Sequence, residues 1–418
     1  MFLCYKYYYV FGSFFDLYVI IKKKMENSVK LRAGFMVKEI NKGLKLKILP
    51  NGSMVEVLEQ NMGNARFIWN NLLGMYFNLY LLFNFHGYPL YPNIRNFNAM
   101  LKMLKQENAF LYEGESTSQQ QVFRDLNKAF TKFFKEGAGY PRFKSKKNPK
   151  QSFRIQKNGN NIRITNRRIR LAKLGYVHYR TSTEYKKLLK TSKINNVTIK
   201  RENGKYYAIV NITTTVEELE KTGKSIGIDL GLKNLATLSN GQEITNLDLK
   251  REDKMIQKYQ KKLSRQKYMS KNYQKTLKKY YKWTNRKNNK IQNAYHQLSK
   301  YLITQYDIIA MENLNIKGMF KNKKWAPKLQ KISLYKLLNM IKYKAEWYGK
   351  TFIQVNRFYP STKTCNTCGY KNKNITLKTR QWTCPICKTK HHRDINAAKN
   401  ILNESIKQNN LIKKRIKI

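Results

Sequence analysis

The sequence has few acidic residues, and this shortage dominates its charge. Of its 418 residues, 25 are Asp or Glu and 83 are Lys or Arg, which gives a formal net charge of +58 at pH 7. A compact particle with that charge repels itself unless a polyanion neutralises it. We therefore expect nucleic acid, bound over a long stretch, as the partner of this chain.

Cysteines and long apolar segments are also scarce. Four of the five cysteines lie in one cluster, which excludes a secreted disulfide scaffold. The apolar run Met1–Ile21 is interrupted by Lys6 and Asp16, and its uninterrupted stretches fall short of the ~20 residues that a membrane span needs. We interpret this run as a translated leader ahead of a start at Met25 or Met36. We expect a cytoplasmic protein, associated with the nucleoid if the host is a prokaryote, and no membrane partner.

The rest of the composition is that of a folded protein of two or three domains, since 41% of the residues are hydrophobic and 13% aromatic. Alternating apolar and basic residues predict a strand at Leu44–Ile48. Ser53, with Glu56 three residues later, predicts the cap of a long helix. Further helices are predicted at Asn93–Lys105 and Ser116–Phe134, and their aromatic stripes favour core packing over base stacking.

Short alternating runs then predict a small β-barrel or sandwich. We expect the strand at Leu44–Ile48 to join it, so that the helices form an insertion. The predicted strands are Ser152–Gln156, Ile162–Leu171, Tyr176–Arg180, Ile194–Arg201 and Tyr206–Thr215.

From Ser225 onward the pattern predicts a mixed α/β sheet, in outline the ribonuclease H arrangement, with the order βββ-α-β-α-β-α. A lysine-rich segment at Lys250–Gln305 predicts either one long helix or a helical hairpin, and Leu329–Trp347 predicts an amphipathic helix. The predicted strands are Ser225–Asp229, Leu235–Leu238, Glu243–Leu247, Asp307–Met311 and Thr351–Val355.

The cysteine cluster has the spacing of a zinc site. Cys365-x2-Cys368 and Cys384-x2-Cys387 are separated by 15 residues, which suits a tetrahedral site of four thiolates. Four sulfurs complete the shell of the ion, so we expect the zinc to be structural. The nearby His391 is not needed as a ligand.

Three acidic residues stand at places where carboxylates can do chemistry. Asp229 and Glu312 each end an apolar strand, and Asp394 precedes an amphipathic helix. The carboxyl ends of strands are where open α/β sheets bind ligands. Together the three carboxylates could hold two Mg²⁺ or Mn²⁺ ions about 3.5–4 Å apart at a scissile phosphate. Taken alone, each acid is more often a cap or a turn residue.

Five segments occur in this order: "GIDLGLKNLATLSNG", "MENLNIKGM", "FYPSTKTCNTCG", "WTCPIC" and "RDINAAKNIL". Together they resemble the TnpB family, the OrfB proteins of IS200/IS605- and IS607-type transposons, which are related to type V CRISPR nucleases. "GYPRFKSKK" and the segment from Leu44 resemble the amino-terminal region of the same family. The likeness covers nearly all of Leu44–Leu402, but His392 stands where the family often has an acid, and the leader has no counterpart.

The resemblance implies an RNA-guided DNA endonuclease. It places Asp229, Glu312 and Asp394 in the three acidic positions of a RuvC-like domain that binds Mg²⁺ or Mn²⁺, with a zinc ribbon inserted before the last acid. The implied partners are a guide RNA and a double-stranded DNA target beside a short motif. The corresponding domains are a leader (1–35), a wedge-like β-barrel (36–52 and 137–223), a helical recognition insert (53–136), the nuclease (224–364 and 388–410), the zinc ribbon (365–387) and a basic tail (411–418).

Two other functions stay open. A nucleic-acid-binding regulator without nuclease activity would share the basic charge, although such a protein is expected to lack some of the three acids. A transposase that joins DNA ends directly could use the same acidic trio. Cleavage assays with a guide RNA would distinguish all three functions.

Overall fold

The computed structural model describes residues 29–32, 35–86, 93–323, 325–376 and 379–416. Two compact units divide them: an amino-terminal unit, Glu39–Thr215, and a carboxy-terminal unit, which comprises the described residues from Val216 onward and those before Glu39. The predicted leader at Met1–Ile21 lies outside the described residues. Within the described ranges, no helix is both long and apolar enough to cross a membrane.

One eight-stranded sheet dominates the first half of the chain. Its order is β3-β7-β8-β2-β6-β5-β4, with β1 paired to β2, and no pairing joins β3 to β4 among the described residues. Along β2, the buried Leu44, Leu46 and Ile48 alternate with lysines, as predicted. The strands are β1 (Val29–Arg32), β2 (Phe35–Leu49), β3 (Gln151–Gln156), β4 (Ile162–Ile164), β5 (Arg168–Leu171), β6 (Gly175–Arg180), β7 (Lys193–Glu202) and β8 (Lys205–Glu217).

Three helices lie between β2 and β3 and pack into the same core. They are α1 (Gly52–Phe85), α2 (Ile94–Glu107) and α3 (Ser116–Glu136). Their aromatic residues form core contacts, as predicted: the ring of Tyr76 lies 5.9 Å from that of Phe97 and 4.4 Å from that of Phe130. The prediction that Ser53 caps helix α1 is wrong. The side chain of Asn51 caps it instead, by accepting a hydrogen bond from the backbone N–H of Met54 at 3.0 Å.

Two further predictions for this half are corrected. The predicted strand Ile162–Leu171 is two strands, β4 and β5, because a turn separates them; the backbone N–H of Thr165 donates to the carbonyl of Arg168 at 2.8 Å. A short helix, α4 (Thr183–Thr191), was not predicted. The hydroxyl of Ser182 caps it by accepting from a backbone N–H.

The carboxy-terminal unit is built on the predicted mixed sheet. Its order is β11-β10-β9-β12-β13. Strands β9, β12 and β13 run parallel, whereas β10 is antiparallel to β9 and to β11. The strands are β9 (Ser225–Leu230), β10 (Asn234–Leu238), β11 (Glu243–Thr245), β12 (Ile308–Glu312) and β13 (Thr351–Val355).

Helices surround this sheet. Of the two predicted forms, Lys250–Gln305 adopts the hairpin, which Glu252 fastens by accepting from Arg286 Nε at 3.0 Å and pairing with Lys290 Nζ at 2.8 Å. The predicted helix Leu329–Trp347 is broken at Ser333, whose φ of 54° is left-handed. The helices are α5 (Lys250–Ser264), α6 (Lys271–Gln305), α7 (Ile316–Met319), α8 (Ala326–Ile332), α9 (Leu334–Trp347) and α10 (Arg393–Ile416).

Helix α10 packs directly on β9 and β12. Its close approach depends on Gly227, because a Cβ at this position would lie 2.1 Å from the carbonyl oxygen of Ala398 and 2.9 Å from Leu402. The helix follows a two-stranded sheet, β14 (Gln381–Thr383) and β15 (Lys390–His392), without an intervening residue. Asp394 therefore lies in the first turn of α10, not ahead of the helix as predicted.

Candidate functional site

The three predicted acids meet at one end of the central sheet. Ile228 on β9 is in register with Met311 on the parallel strand β12, so Asp229 and Glu312 are the next residues on adjacent strands. Both lie at the carboxyl ends of these strands, where open α/β sheets bind ligands. Helix α10, packed on the same strands, brings Asp394 to them. All three side chains are half-buried, so they remain accessible to a ligand.

The negative charges of the trio act on one another. Burial raises the pKa of Asp229 well above its ordinary value, and the nearby charges of Glu312 and Asp394 raise it further, while Arg393 acts in the opposite direction. Ionising Asp229 without a compensating cation is therefore unfavourable.

Neighbouring side chains hold two of these acids in place. The hydroxyl of Ser361 donates a hydrogen bond to Glu312 Oε1. Arg380 pairs with Asp394 Oδ2 at 2.9 Å, and Arg393 pairs with Oδ1 at 2.7 Å. Each carboxylate thus keeps a defined orientation.

The donor set of the trio fits hard divalent cations. Carboxylate oxygens are the ligands that Mg²⁺ and Mn²⁺ prefer, and the mutual repulsion among the acids is what such cations would relieve. In the described ranges, only the four cysteines have three or more ligand atoms of His, Cys, Asp or Glu within 4.8 Å of one another.

The four predicted zinc ligands form one cluster. The Sγ atoms of Cys365 and Cys387 lie 3.6 Å apart, as do those of Cys368 and Cys384, and the four residues form no disulfide. Tetrahedral zinc with Zn–S bonds of about 2.3 Å sets its sulfurs about 3.8 Å apart, so the cluster fits this ion. The described residues near the cluster include left-handed turns at Gly369 and Lys388, which shape the two Cys-x2-Cys loops.

His391 contacts the cysteine cluster without being one of its four ligands. Its Nε2 lies 3.0 Å from Sγ of Cys365, and its ring packs 4.7 Å from that of Trp382. Burial lowers the pKa of His391, with Lys399 adding to the effect, so the ring is neutral near pH 7. A neutral imidazole can donate its N–H to a thiolate, which is the usual role of a residue behind a zinc ligand. His392 contacts an acid instead of a cysteine: its Nε2 lies 4.0 Å from Oε1 of Glu243.

Sequence reasoning missed the residues that connect the cysteine cluster to the acids. Asn400 Nδ2 donates to the carbonyls of Ser361 at 2.7 Å and Thr364 at 2.6 Å. Asn396 Nδ2 donates to the carbonyl of Thr364 at 2.7 Å, and its Oδ1 accepts from the backbone N–H of Asn366 at 3.0 Å. The available signal was two asparagines four residues apart on one helix, next to the apolar Ala397 and Ile401.

Comparisons with known families match three parts of the chain. A family model described as "Probable transposase" matches residues 196–323, and one described as "Cas12f1-like, TNB domain" matches 335–401. A third, described as "Helix-turn-helix domain", matches 36–81. In that range the structure has the strand β2 followed by the single helix α1.

Similar proteins cover most of this chain. A protein of Streptomyces pristinaespiralis named "Putative RNA-guided DNA endonuclease" is 30% identical over 372 residues, which are 88% of this chain and 90% of that protein. The InsQ protein of Escherichia coli K12, named in the same way, is 26% identical over 375 residues, with 86% and 90% covered.

A solved structure described as "Cryo-EM structure of the Cas12f1-sgRNA-target DNA complex" is similar in fold. It matches with a TM-score of 0.54 at 16% identity and covers 87% of this chain and 99% of that chain. The family models and the identity over nearly the whole length agree with the motifs of the sequence. The chain belongs to the TnpB family, the OrfB proteins of IS200/IS605- and IS607-type transposons.

Proposed function

We propose that this chain is an RNA-guided DNA endonuclease in which Asp229, Glu312 and Asp394 carry metal-dependent hydrolysis of DNA phosphodiester bonds. The observation that carries the proposal is the meeting of three electrostatically coupled carboxylates at the carboxyl ends of two parallel strands. The names of the two bacterial relatives support the same activity. On this proposal the carboxy-terminal sheet is RuvC-like.

In this proposal, each residue of the site has a separate role in hydrolysis. Two Mg²⁺ or Mn²⁺ ions held by the trio would supply Lewis acidity and lower the pKa of the attacking water. Asp229 is repelled by the charges of both other acids, so its ionised form depends on that positive charge. Ser361 would hold one oxygen of Glu312 and so orient the carboxylate toward the ions. Arg380 and Arg393 keep Asp394 at the start of α10.

The basic charge would bind the nucleic acids. Lysines cover both helices of the hairpin α5–α6, and phosphates neutralised by such side chains contribute much of the affinity. Base pairing between a guide RNA and the target strand would select the sequence, while the protein reads shape and a short adjacent motif. In this assignment the sheet of the amino-terminal unit is the wedge-like barrel and α1–α3 are its recognition insert.

The cysteine cluster would hold a structural zinc ion. Cys365, Cys368, Cys384 and Cys387 would bind it, and four thiolates leave no open position for catalysis. A segment as short as 365–387 has little core of its own, so the ion would supply most of the stability of this ribbon.

Cleavage of a matched plasmid tests the proposal. The full chain is purified with its associated RNA, the RNA is sequenced, and a supercoiled plasmid is built with a matching target beside a randomised flank. We expect Mg²⁺-dependent linearisation that stops with EDTA, and we expect Asp229→Ala to abolish cutting while RNA binding stays intact. The control is Asp248→Ala, which removes an exposed acid of the same unit.

Each other outcome identifies a different function. Binding of RNA and target by the wild-type chain without cutting would indicate the regulator. Joined DNA ends in place of free ends would indicate a transposase. Full activity of a clean Asp229→Ala preparation would show that the acids have been assigned wrongly.

A further inference from the structure

The amino-terminal unit contains a basic cavity that the proposed nuclease site does not use. This cavity, which we call the Phe143 pocket, has a volume of about 290 Å³. Residues from helix α1, the loop after α3 and the start of β3 line it. They include Arg66, Phe143, Lys144, Ser145, Lys150 and Gln151.

Phe143 gives the pocket an exposed aromatic surface. Its side chain is 66% exposed, although it belongs to the segment Gly139–Lys144, whose other aromatic residue packs against the helical core. That residue, Tyr140, lies with its ring 5.7 Å from that of Phe130. An aromatic ring left in solvent beside cationic side chains is what stacking of a nucleobase requires.

Hydrogen bonds hold the loop that carries Phe143. The backbone N–H of Lys144 donates to Asn70 Oδ1 at 2.7 Å, and Asn70 Nδ2 donates back to the carbonyl of Lys144 at 3.0 Å. The indole N–H of Trp69 donates to the carbonyl of Arg142 at 3.0 Å. The ring of Phe143 is therefore presented by a backbone fixed on both sides, which lowers the entropy cost of binding.

The opposite wall of the pocket is fixed as well. Gln151 is buried, and its Nε2 donates to the carbonyls of Ser145 at 3.0 Å and Asn148 at 2.7 Å. Its Oε1 accepts from Arg66 Nη1 at 2.8 Å. These bonds connect α1 with β3 across the pocket and make it a preformed site.

The charges of the pocket favour an anion. Arg66, Lys144 and Lys150 line it, and no acidic residue is among its lining residues. Lys150 pairs with Glu202 at 3.7 Å, and Lys144 lies over the ring of Trp69 with its Nζ 3.6 Å from the centroid. Both lysines are thus oriented by their neighbours, and both line the same cavity as the exposed ring of Phe143.

We propose that the Phe143 pocket binds one unstacked nucleotide of the guide RNA, with its base on the Phe143 ring and its phosphate near Lys144 and Lys150. This inference rests on the proposed function, because it requires a bound RNA. RNA is favoured over DNA because bases in RNA loops and bulges are splayed out and stack on aromatic side chains, whereas duplex DNA keeps its bases stacked. The nucleotide would anchor the RNA at a fixed point of the amino-terminal unit.

Photocrosslinking tests the position of the nucleotide. The full chain carrying its copurifying RNA is irradiated with ultraviolet light, digested and analysed by mass spectrometry. We expect a nucleotide adduct on Phe143. Adducts found elsewhere in the chain, with none on the peptide that contains Phe143, would overturn the proposal.

Equilibrium binding tests the energetics, with the same RNA transcribed in vitro as the probe and no Mg²⁺ present. We expect Phe143→Ala to weaken binding about tenfold, as for the loss of one stacked base, while Phe143→Trp restores it. The slope of log Kd against log salt should stay unchanged, since no phosphate contact is lost. The matched control is Tyr176→Ala, which removes an aromatic side chain that is 50% exposed in the same unit.

The remaining outcomes are decisive too. The proposal would be overturned if Phe143→Ala bound the RNA as tightly as the wild-type chain. It would also be overturned if Tyr176→Ala weakened RNA binding as much as Phe143→Ala does. A tenfold loss for single-stranded DNA of the same sequence, with RNA unaffected, would make DNA the occupant and overturn the RNA assignment. Because no cleavage is measured, a failure of the nuclease proposal would leave a positive binding result standing.

Discussion

The four cysteines and the three acids are brought together in different ways. The cysteines lie within one short segment, and a two-stranded hairpin closes them into a cluster whose paired sulfurs are 3.6 Å apart. The acids lie on two strands and a helix that are distant in sequence, and only the register of β9 with β12 and the packing of α10 unite them. The cluster is thus encoded locally, whereas the trio depends on the whole sheet.

This difference means that the trio and the ribbon should be separable in one direction. Removing an acid should stop chemistry and leave the ribbon folded. Removing a cysteine should unfold the ribbon and disturb the trio through the connecting residues Ser361, Asn396 and Asn400 and through the direct passage from β15 into α10. Substitutions at four positions should reveal this separation, with effects that fall from the acids to their supporting residues.

Replacing Glu312 by Gln should have the largest effect on cleavage. The substitution keeps the shape of the side chain but removes a negative charge that metal ions need, so we expect a loss of about 10³-fold or more in the cleavage rate. Zinc content, measured by mass spectrometry of the metal, should stay at the wild-type level. The control is Glu346→Gln, an exposed acid on α9. Loss of zinc in Glu312→Gln would contradict the separation.

Replacing Cys384 by Ser should lower both zinc binding and cleavage. Cys384 is fully buried in the cluster, and a hydroxyl is a poor substitute for a thiolate, so the zinc should be lost. Because the ribbon leads directly into α10, we expect cleavage to fall by about 10²-fold, as for a catalytic group displaced by about 1 Å. Thr383→Ala, an exposed change beside it, should alter neither quantity. Full cleavage by zinc-free Cys384→Ser protein would show that the trio does not depend on the ribbon.

Replacing His391 by Ala should affect the zinc more than the cleavage. Without the contact to Cys365, the zinc affinity should fall about 10- to 100-fold, which a chelator competition with a colorimetric zinc dye would measure. Lys390→Ala, which removes an exposed neighbour, is the control. An unchanged zinc affinity in His391→Ala would mean that this contact does not support the site.

Replacing Ser361 by Ala should have the smallest effect. Loss of the hydrogen bond to Glu312 leaves the carboxylate in place but less well oriented, so we expect the cleavage rate to fall about 2- to 10-fold. Zinc content should not change, and Thr362→Ala should behave as wild type. A rate equal to wild type would show that Glu312 is oriented by other groups.

Much of the fold could be predicted because the sequence carries strong local patterns. The alternation of apolar and basic residues predicts β2, and short apolar runs predict β9 and β12. The spacing of the four cysteines alone predicts their cluster. The acids were found because carboxylates are rare in this chain and two of them end strands. The residues alone suggested that the three acids could share metal ions, and the resemblance to a family assigned them to one site.

The parts that could not be predicted depend on backbone geometry or on distant partners. Ser333 interrupts the predicted helix Leu329–Trp347 because its backbone is left-handed. Serine rarely adopts this conformation, so the sequence does not indicate the break. The turn between β4 and β5 falls on residues 165–168, a stretch without glycine or proline. Ser361, Asn396 and Asn400 are ordinary polar residues whose roles exist only because α10 packs beside the loop that precedes Cys365.

On the proposed function, the direct passage from β15 into α10 would make cleavage depend on the supply of zinc. His392 ends the ribbon and Arg393 begins the helix, so the position of Asp394 depends on whether the ribbon is folded. In a cell starved of zinc, the protein would still bind its RNA but would cut DNA slowly. The zinc supply of the cell would then set the rate at which this protein cuts its DNA target.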